Sequence, residues 1–225
     1  MKPVLEASRE PKGPEGPIPA GSLTLHGELI IPNGSKGIVL FAHGSGSSRR
    51  SPRNQQVARM LRKAGLGTLL FDLLTAEEEQ QDMKSRHLRF DIERLAGRLL
   101  DATKWIMGKP ETKHLRIGYF GSSTCAAAAL LTAAQLGEKV GAVVSRGGRP
   151  DLAAQALPEV KAPTLLIVGQ KDEVVAGLNE QAFAKLRCVK ETQIIPRATH
   201  LFEEPGTLEE AARLAANWFD RYLQR

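Results

Sequence analysis

The sequence predicts a single α/β domain, in which helices cover both faces of a mostly parallel central sheet. Short, continuously apolar runs such as residues 38–42 are typical of parallel strands that are buried on both faces. Longer segments with helical periodicity, such as residues 91–107, lie between these runs, and glycine or proline ends them. Because strands alternate with helices along the chain, we expect parallel strands that are joined by helical crossovers.

The composition fits this fold class. The chain has 225 residues, 42% of them hydrophobic, which is enough for one large domain with a sizeable core. Its formal charge is +6, but Lys and Arg are scattered among acidic residues, as at 86–98 and 185–191. Because no basic tract is interleaved with aromatic residues, we predict a solvated mixed-charge surface and no nucleic-acid partner.

The sequence also bears on compartment and on metal binding. Its two cysteines, Cys125 and Cys188, show neither the spacing of metal ligands nor a disulfide framework. The N-terminus lacks a continuous apolar segment, and no stretch reaches the roughly 18 apolar residues of a membrane span. We therefore expect a cytoplasmic protein with no metal, no organic cofactor and no membrane contact, and its oligomeric state stays open.

The elements of the first quarter are predicted from turn residues and from alternation. Residues 1–20 are rich in Pro, Gly and charge, so we predict a loose or extended lead-in to one domain at residues 21–225. Residues 23–31 alternate between apolar and polar side chains, as an exposed antiparallel strand does. Residues 38–42 form the first predicted parallel strand, and residues 52–64 have helical periodicity.

One segment in the middle of the chain is ambiguous. Residues 77–89 are highly charged and predict either a short exposed helix or a lid-like excursion. Before it, residues 68–74 are predicted to be a buried strand, and after it residues 91–107 form a strongly amphipathic helix. No insertion is long enough to form a cap domain, so we predict a fairly open site.

The second half of the chain continues the alternation of strands and helices. Residues 124–136 are rich in alanine and predict a helix, and residues 208–223 predict an amphipathic closing helix. The remaining predicted elements are strands at residues 115–120, 140–145, 164–168 and 192–195 and helices at residues 153–156 and 179–186.

A turn of small residues between a buried strand and a helix carries the strongest functional signal, the sequence GSSTC at residues 121–125. A nucleophile elbow holds one side chain at a tight strand-to-helix turn, and it needs small residues two positions before and after the nucleophile. For Ser123 those flanking residues are Gly121 and Cys125, which stands where the G-x-S-x-G pattern has glycine. Ser122 has bulkier flanks. We favour Ser123 as the nucleophile, with Cys125 and Ser122 as the alternatives.

Two later loops supply candidate partners for Ser123. Asp172 and His200 each follow a later predicted strand, and the chain order Ser, acid, His is that of triad hydrolases with this architecture. A serine hydroxyl needs a base to accept its proton, and the acid orients that base. Glu173 is the alternative acid. We interpret three other histidines as surface or local structure: His26, His87 and His114.

The loop after the first parallel strand is small and polar, with the sequence HGSGSS at residues 43–48. Such a turn can aim a backbone N–H at the site, and we assign that of Ser45 as the first oxyanion donor, with Gly44 or Gly46 as alternatives. The N–H of Thr124, at a helix N-terminus, is predicted as the second donor. Phosphate binding by this loop is the rival interpretation, although neither the Walker A pattern nor G-x-G-x-x-G is present.

Six segments that together span most of the chain after residue 20 carry a resemblance to a known family: FAHGSGSSRRSPRN, LLTAEEEQQDMKSRHLRFDIERLA, GYFGSSTCAAAALL, VVSRGGRPDLA, TLLIVGQKDEVV and ATHLFEEPGTLEE. They resemble the dienelactone hydrolase-like branch of the α/β-hydrolase superfamily. The resemblance implies an α/β-hydrolase fold with a nucleophile at Ser123, an acid at Asp172 and a base at His200. Dienelactone hydrolases themselves use a cysteine nucleophile, and the serine of this chain argues against dienelactone as the substrate.

The sequence thus predicts a serine esterase that cleaves small-molecule carboxylic esters through an acyl-enzyme, with short or medium acyl groups or compact aryl esters as substrates. Arg146 and Arg149 follow a predicted strand. They could lie at the active edge of the sheet and bind an anionic substrate, or belong to a surface turn whose charges precede a helix. We prefer the surface turn. The alternatives to an esterase are acyl transfer or amide hydrolysis on the same triad, and a catalytically silent binding protein.

Overall fold

Eight strands form one sheet in the computed structural model, which describes residues 15–43 and 47–224 of the chain. The strands are β1 (Glu15–Ala20), β2 (Leu23–Ile30), β3 (Gly37–Ala42), β4 (Gly67–Phe71), β5 (Arg116–Ser122), β6 (Val140–Arg146), β7 (Thr164–Gly169) and β8 (Lys190–Ile195). Their order across the sheet is β1-β2-β4-β3-β5-β6-β7-β8. The strands β3 to β8 run parallel, while β1 and β2 are antiparallel to their neighbours. The predicted sheet is confirmed.

Helices cover both faces of this sheet, and among the described residues no insertion forms a cap domain. The helices are α1 (Pro52–Lys63), α2 (Ala76–Ser85), α3 (Ile92–Gly108), α4 (Cys125–Leu136), α5 (Glu173–Lys185) and α6 (Thr207–Leu223), with 3-10 turns at Leu88–Phe90, Gly137–Lys139, Pro150–Ala153 and Leu157–Glu159. On one face α3 packs on α4, and on the other α1 packs on α6. Val143 and Val144 of β6 belong to opposite cores, because successive side chains of a strand point to opposite faces.

Residues 15–20 differ from the loose lead-in of the sequence prediction. They form β1, which pairs with β2 at the edge of the sheet and buries Ile18 and Ala20. Pro17 and Pro19 fit an edge strand, because proline lacks an N–H and only the interior of a sheet requires one. Because this segment is rich in Pro and Gly, its sequence pattern did not predict a paired strand.

The charged segment after β4 forms a fixed helix, the first of its two predicted forms. A capping box holds its start, in which Glu78 and Thr75 exchange hydrogen bonds between side chain and backbone. Glu78 also accepts a hydrogen bond of 2.8 Å from Arg98 of α3. At the other end, Asp82 accepts hydrogen bonds from the backbone and the side chain of Arg89. Hydrogen bonds therefore tie both ends of α2 to neighbouring parts of the chain.

Two helical predictions had the wrong bounds. The helix predicted at residues 179–186 begins at Glu173, and the exposed Val174 together with Gly177 obscures the apolar pattern of its first turns. The short helix predicted at residues 153–156 is replaced by two 3-10 turns that each have proline near their start. Within the described part of the chain, no helix is long and apolar enough to cross a membrane.

Candidate active site

Ser123 lies at the turn between β5 and α4, and its backbone φ is +50°. Non-glycine residues rarely adopt this left-handed conformation, and such backbone strain concentrates at functional sites. The turn places a half-buried serine at the carboxyl end of a central parallel strand. This is the geometry that the small-residue turn in the sequence predicts.

The alternative nucleophiles Ser122 and Cys125 are both more deeply buried, each with 4% of its surface exposed. Ser122 belongs to β5 and pairs with Arg146 of β6 in the sheet. Burial raises the pKa of the Cys125 thiol to about 12. Because the thiolate is the nucleophilic form of cysteine, a thiol that stays protonated at neutral pH is a poor nucleophile. Of the three candidates, Ser123 has the geometry and the access that attack on a substrate needs.

The predicted acid and base are hydrogen-bonded to each other. His200 Nδ1 lies 2.6 Å from Asp172 Oδ2. The carboxylate is 14% exposed and the imidazole 39% exposed, so the acid is shielded while the ring is partly open to solvent. Glu173, the alternative acid, is exposed at the start of α5.

The loops that carry Asp172 and His200 are also bonded to each other. Lys171 N–H donates a hydrogen bond of 2.9 Å to the carbonyl oxygen of Ala198. A Cβ on Gly169 would lie 2.5 Å from the same oxygen, so a residue without a side chain is needed for this approach. The parallel pairing of β7 with β8 thereby brings the acid and the base together.

The loop after β6 joins the histidine to the serine turn. A Cβ on Gly147 would lie 3.2 Å from the carbonyl oxygen of His200, so the two residues are in close contact. Two residues further along, Arg149 N–H donates a hydrogen bond of 3.0 Å to the carbonyl oxygen of Ser123. The structure therefore brings Ser123, Asp172 and His200 to one edge of the sheet.

Arg146 and Arg149 have different surroundings. The guanidinium of Arg149 pairs with both carboxylate oxygens of Asp151, at 2.8 and 2.7 Å, as the preferred surface-turn interpretation predicts. Arg146 is only 8% exposed, and its guanidinium lies 5.3 Å from the centre of the Phe202 ring. Burial lowers the pKa of Arg146 to about 10. The surface-turn interpretation is therefore wrong for Arg146. This side chain is buried against Phe202, two residues after His200.

Of the predicted oxyanion donors, the structure describes only Thr124. This residue is buried at the N-terminus of α4, where the positive end of the helix dipole favours negative charge. Ser45, with its alternatives Gly44 and Gly46, lies outside the described residues, and its assignment stays a prediction.

Asp72 is a prominent feature of this edge that the sequence analysis did not single out. Its Oδ1 lies 3.1 Å from His43 Nε2 and accepts a hydrogen bond of 2.7 Å from the Arg49 N–H, while the Arg49 guanidinium bonds Oδ2. Burial alone would raise the pKa of Asp72, but the hydrogen bonds from His43 and Arg49 outweigh it and lower the pKa. The strand predicted at residues 68–74 contains Asp72, whereas β4 ends at Phe71. With the correct strand end, this acid follows a buried strand as Asp172 does.

The fold, with a serine in a strained turn after a central parallel strand, defines an α/β-hydrolase. The chain belongs to the dienelactone hydrolase family, whose sequence profile matches residues 25–224. A dienelactone hydrolase structure from Anabaena variabilis is 59% identical, with a TM-score of 0.92 over 95% of this chain and 99% of that chain. The predicted resemblance to this family is confirmed.

Two other relatives come from strains of Mycobacterium tuberculosis and are provisionally named phosphoribosyl transferases. They are 52% identical over 222 residues, which is 98% of this chain but 49% of each relative, so the chain spans about half their length. Est1E from Butyrivibrio proteoclasticus, seen with ferulic acid bound, has a TM-score of 0.76 at 13% identity, over 93% of this chain and all of that chain. This last similarity shows the fold alone. Among the described residues, no group of three or more His, Cys, Asp or Glu side chains could hold a metal ion.

Proposed function

We propose that this chain hydrolyses carboxylic esters, with Ser123 as the nucleophile, His200 as the base and Asp172 as the acid that orients the base. The observation that carries the proposal is the hydrogen bond between His200 Nδ1 and Asp172 Oδ2. An ionised carboxylate only accepts, so Nδ1 carries the proton and Nε2 is left to accept one. That is the tautomer that a serine nucleophile needs.

The acylation step follows from this arrangement. As Ser123 Oγ attacks the ester carbonyl carbon, His200 Nε2 accepts the hydroxyl proton and Asp172 stabilises the resulting imidazolium. The oxyanion accepts hydrogen bonds from the N–H of Thr124 and from the predicted donor at Ser45. When the intermediate collapses, the C–O bond of the ester breaks, and His200 returns the proton to the departing alcohol.

Deacylation repeats these steps with water. His200 takes a proton from the water molecule as its oxygen attacks the acyl carbon, and the same N–H groups stabilise the second oxyanion. The bond between the acyl carbon and Ser123 Oγ then breaks, the carboxylic acid leaves, and the serine regains its proton from His200.

The phosphoribosyl transferase name belongs to proteins about twice as long as this chain, and we do not transfer that activity to it. A serine in a strained turn beside a His–Asp pair supports acyl chemistry rather than glycosyl transfer. Acyl transfer or amide hydrolysis on the same triad, and a silent binding protein with this fold, are the competing functions.

A fluorophosphonate probe with peptide mapping, combined with rates on p-nitrophenyl esters from acetate to octanoate, tests the proposal. We expect one equivalent of probe at Ser123, ester hydrolysis by the wild type, and loss of both in Ser123→Ala. Ser122→Ala is the matched control, since it removes the neighbouring buried hydroxyl and should leave the labelled residue unchanged. A protein that takes up no probe is a silent binding protein. A labelled protein that cleaves only amides, or only transfers acyl groups, would support the competing enzymes.

A further inference from the structure

A cavity of about 50 Å³ lies between the end of β4, the helix α2 and the start of α4. Cys125 lines it, so the cavity reaches the first turn of the helix that follows the proposed nucleophile Ser123. Five of its eleven lining residues are apolar or sulfur-bearing, and most of its exposed surface is apolar; the five are Leu73, Leu74, Met83, Leu95 and Cys125.

The order of the strands separates this cavity from the catalytic histidine. Ser123 follows β5, which lies between β3 and β6. His200 contacts Gly147 after β6, whereas the cavity is lined from the ends of β3 and β4 by His43 and Asp72. The base must protonate the leaving alcohol, so the leaving group lies on the β6 side. The acyl group, on the opposite side of the scissile bond, is directed towards the cavity.

We propose that this cavity is the acyl pocket, and that it selects short uncharged acyl chains and rejects chains that carry a carboxylate. The proposal rests on the proposed ester hydrolysis at Ser123 and adds the substrate class and two residues that determine it, Cys125 and Glu79.

The size of the cavity limits the length of the chain. A water-sized group occupies roughly 10–15 Å³ on this scale, so the cavity holds about three or four carbon atoms beyond the ester carbonyl. Butanoyl and pentanoyl groups have that length. Part of this wall is held in place, because α2 is bonded at both ends and Leu95 belongs to the buried core, whereas the side chain of Met83 is 66% exposed.

The charges around the cavity are unbalanced. Three carboxylates and one guanidinium, that of Arg89, line it. Asp82 is paired with Arg89 and Asp72 with Arg49, so two of the three carboxylates are compensated. The side chain of the third, Glu79, has no hydrogen-bond or ion-pair partner within the described part of the chain, although its backbone N–H donates to the carbonyl oxygen of Thr75. An acyl chain that ends in a carboxylate would therefore meet an uncompensated negative charge in a mostly apolar space.

Two esters with equal numbers of heavy atoms test the charge selection: methyl 3-methylbutanoate and monomethyl malonate. We expect the wild type to favour the uncharged ester by roughly a hundredfold in kcat/KM, and Glu79→Gln to narrow that ratio about tenfold. Glu77→Gln, on the same helix but exposed and outside the cavity, is the matched control and should keep the wild-type ratio. Equal rates for the two wild-type substrates, or an unchanged ratio in Glu79→Gln, would overturn the charge argument.

A series of p-nitrophenyl esters tests the length limit. The wild type should have its highest kcat/KM at butanoate or pentanoate and fall steeply by octanoate. Cys125→Ala deepens the pocket and should raise the hexanoate-to-butanoate ratio about three- to tenfold, whereas Cys125→Val should lower it. Cys188→Ala, which removes the other cysteine at a distance from the cavity, should leave the ratio unchanged. A flat profile, or a profile that Cys125 variants do not move, contradicts the pocket assignment.

The two levels of the proposal fail in different ways. If no ester is hydrolysed and Ser123 takes up no phosphonate, both the proposed function and the assignment of the acyl pocket are wrong. If Ser123 is labelled and acetate esters are cleaved without dependence on chain length or charge, ester hydrolysis stands and only the pocket assignment is wrong.

Discussion

The α-carbon of Gly121 lies so close to Ala126 that a Cβ on residue 121 would stand 2.6 Å from the Ala126 α-carbon. Gly121 belongs to the end of β5 and Ala126 to the first turn of α4, so this contact sets the distance between strand and helix around Ser123. The requirement for a small residue after Ser123 therefore falls on Ala126. Cys125, which the sequence pattern placed in that role, points instead towards the cavity under α2.

Gly121→Ala should damage the serine turn. Because the new Cβ would meet backbone atoms, the helix must move, and overpacking of this kind costs about 1–3 kcal/mol of unfolding free energy. A displacement of about 1 Å at the nucleophile costs on the order of a hundredfold in rate. Urea unfolding and kcat/KM for a butanoate ester measure the two effects. Gly97→Ala is the control, because a Cβ on this exposed helical glycine meets nothing within 4 Å. Wild-type activity in Gly121→Ala would contradict the contact.

Ser123 and His200 should behave as one unit. Ser123→Ala and His200→Ala are each expected to lose a similar large factor in kcat, and the double variant should lose little more, because either change removes the same proton transfer. Single-turnover and steady-state rates on one activated ester measure the loss in kcat for each single variant and for the double variant. Losses that multiply in the double variant would show that the two residues act independently.

The pH profile distinguishes a serine from a cysteine nucleophile. With Ser123 as the nucleophile and a histidine as the base, no thiol ionises in the mechanism, so kcat/KM should stay level at alkaline pH. Because burial raises the pKa of the Cys125 thiol to about 12, a thiolate mechanism would keep accelerating between pH 8 and pH 9.5. A plateau in kcat/KM over that interval supports Ser123. A tenfold rise there, abolished in Cys125→Ala, would support Cys125.

Asp72→Asn should destabilise the protein in a pH-dependent way. The pKa of Asp72 is lowered on folding, so the ionised carboxylate contributes stability above its unfolded pKa, about 3.9, and that contribution is lost as pH falls through the folded pKa. At pH 7 the variant should lose about 1–3 kcal/mol, because His43 and Arg49 lose a charged partner. The difference in unfolding free energy between the wild type and the variant should be smaller at pH 3.

Urea unfolding of both proteins at the two pH values measures this effect. Asp220→Asn, a substitution of an exposed aspartate on α6, is the control and should change stability by less than about 0.5 kcal/mol at either pH. A deficit in Asp72→Asn that stays constant between pH 7 and pH 3 would show that shape, not charge, is what Asp72 contributes.

Several features of this protein follow from the sequence because they depend on neighbouring residues or on chain order. Continuous apolar runs predict the buried strands, and the small residues around Ser123 predict the turn that the structure has at φ +50°. The order of serine, acid and histidine along the chain predicts Asp172 and His200, since each lies after a strand of a parallel sheet whose carboxyl ends share one edge.

Tertiary structure alone decided which strands are neighbours, and several features depend on that choice. The pairing of β7 with β8 selects Asp172 over Glu173 as the partner of His200, because only one of the two side chains turns towards the histidine loop. The pairing of β3 with β4 brings Asp72 to His43, and the place of β5 between β3 and β6 puts the cavity opposite the histidine. Local sequence patterns do not predict these contacts. They join residues on strands that are distant in sequence, and only the folded sheet makes those strands neighbours.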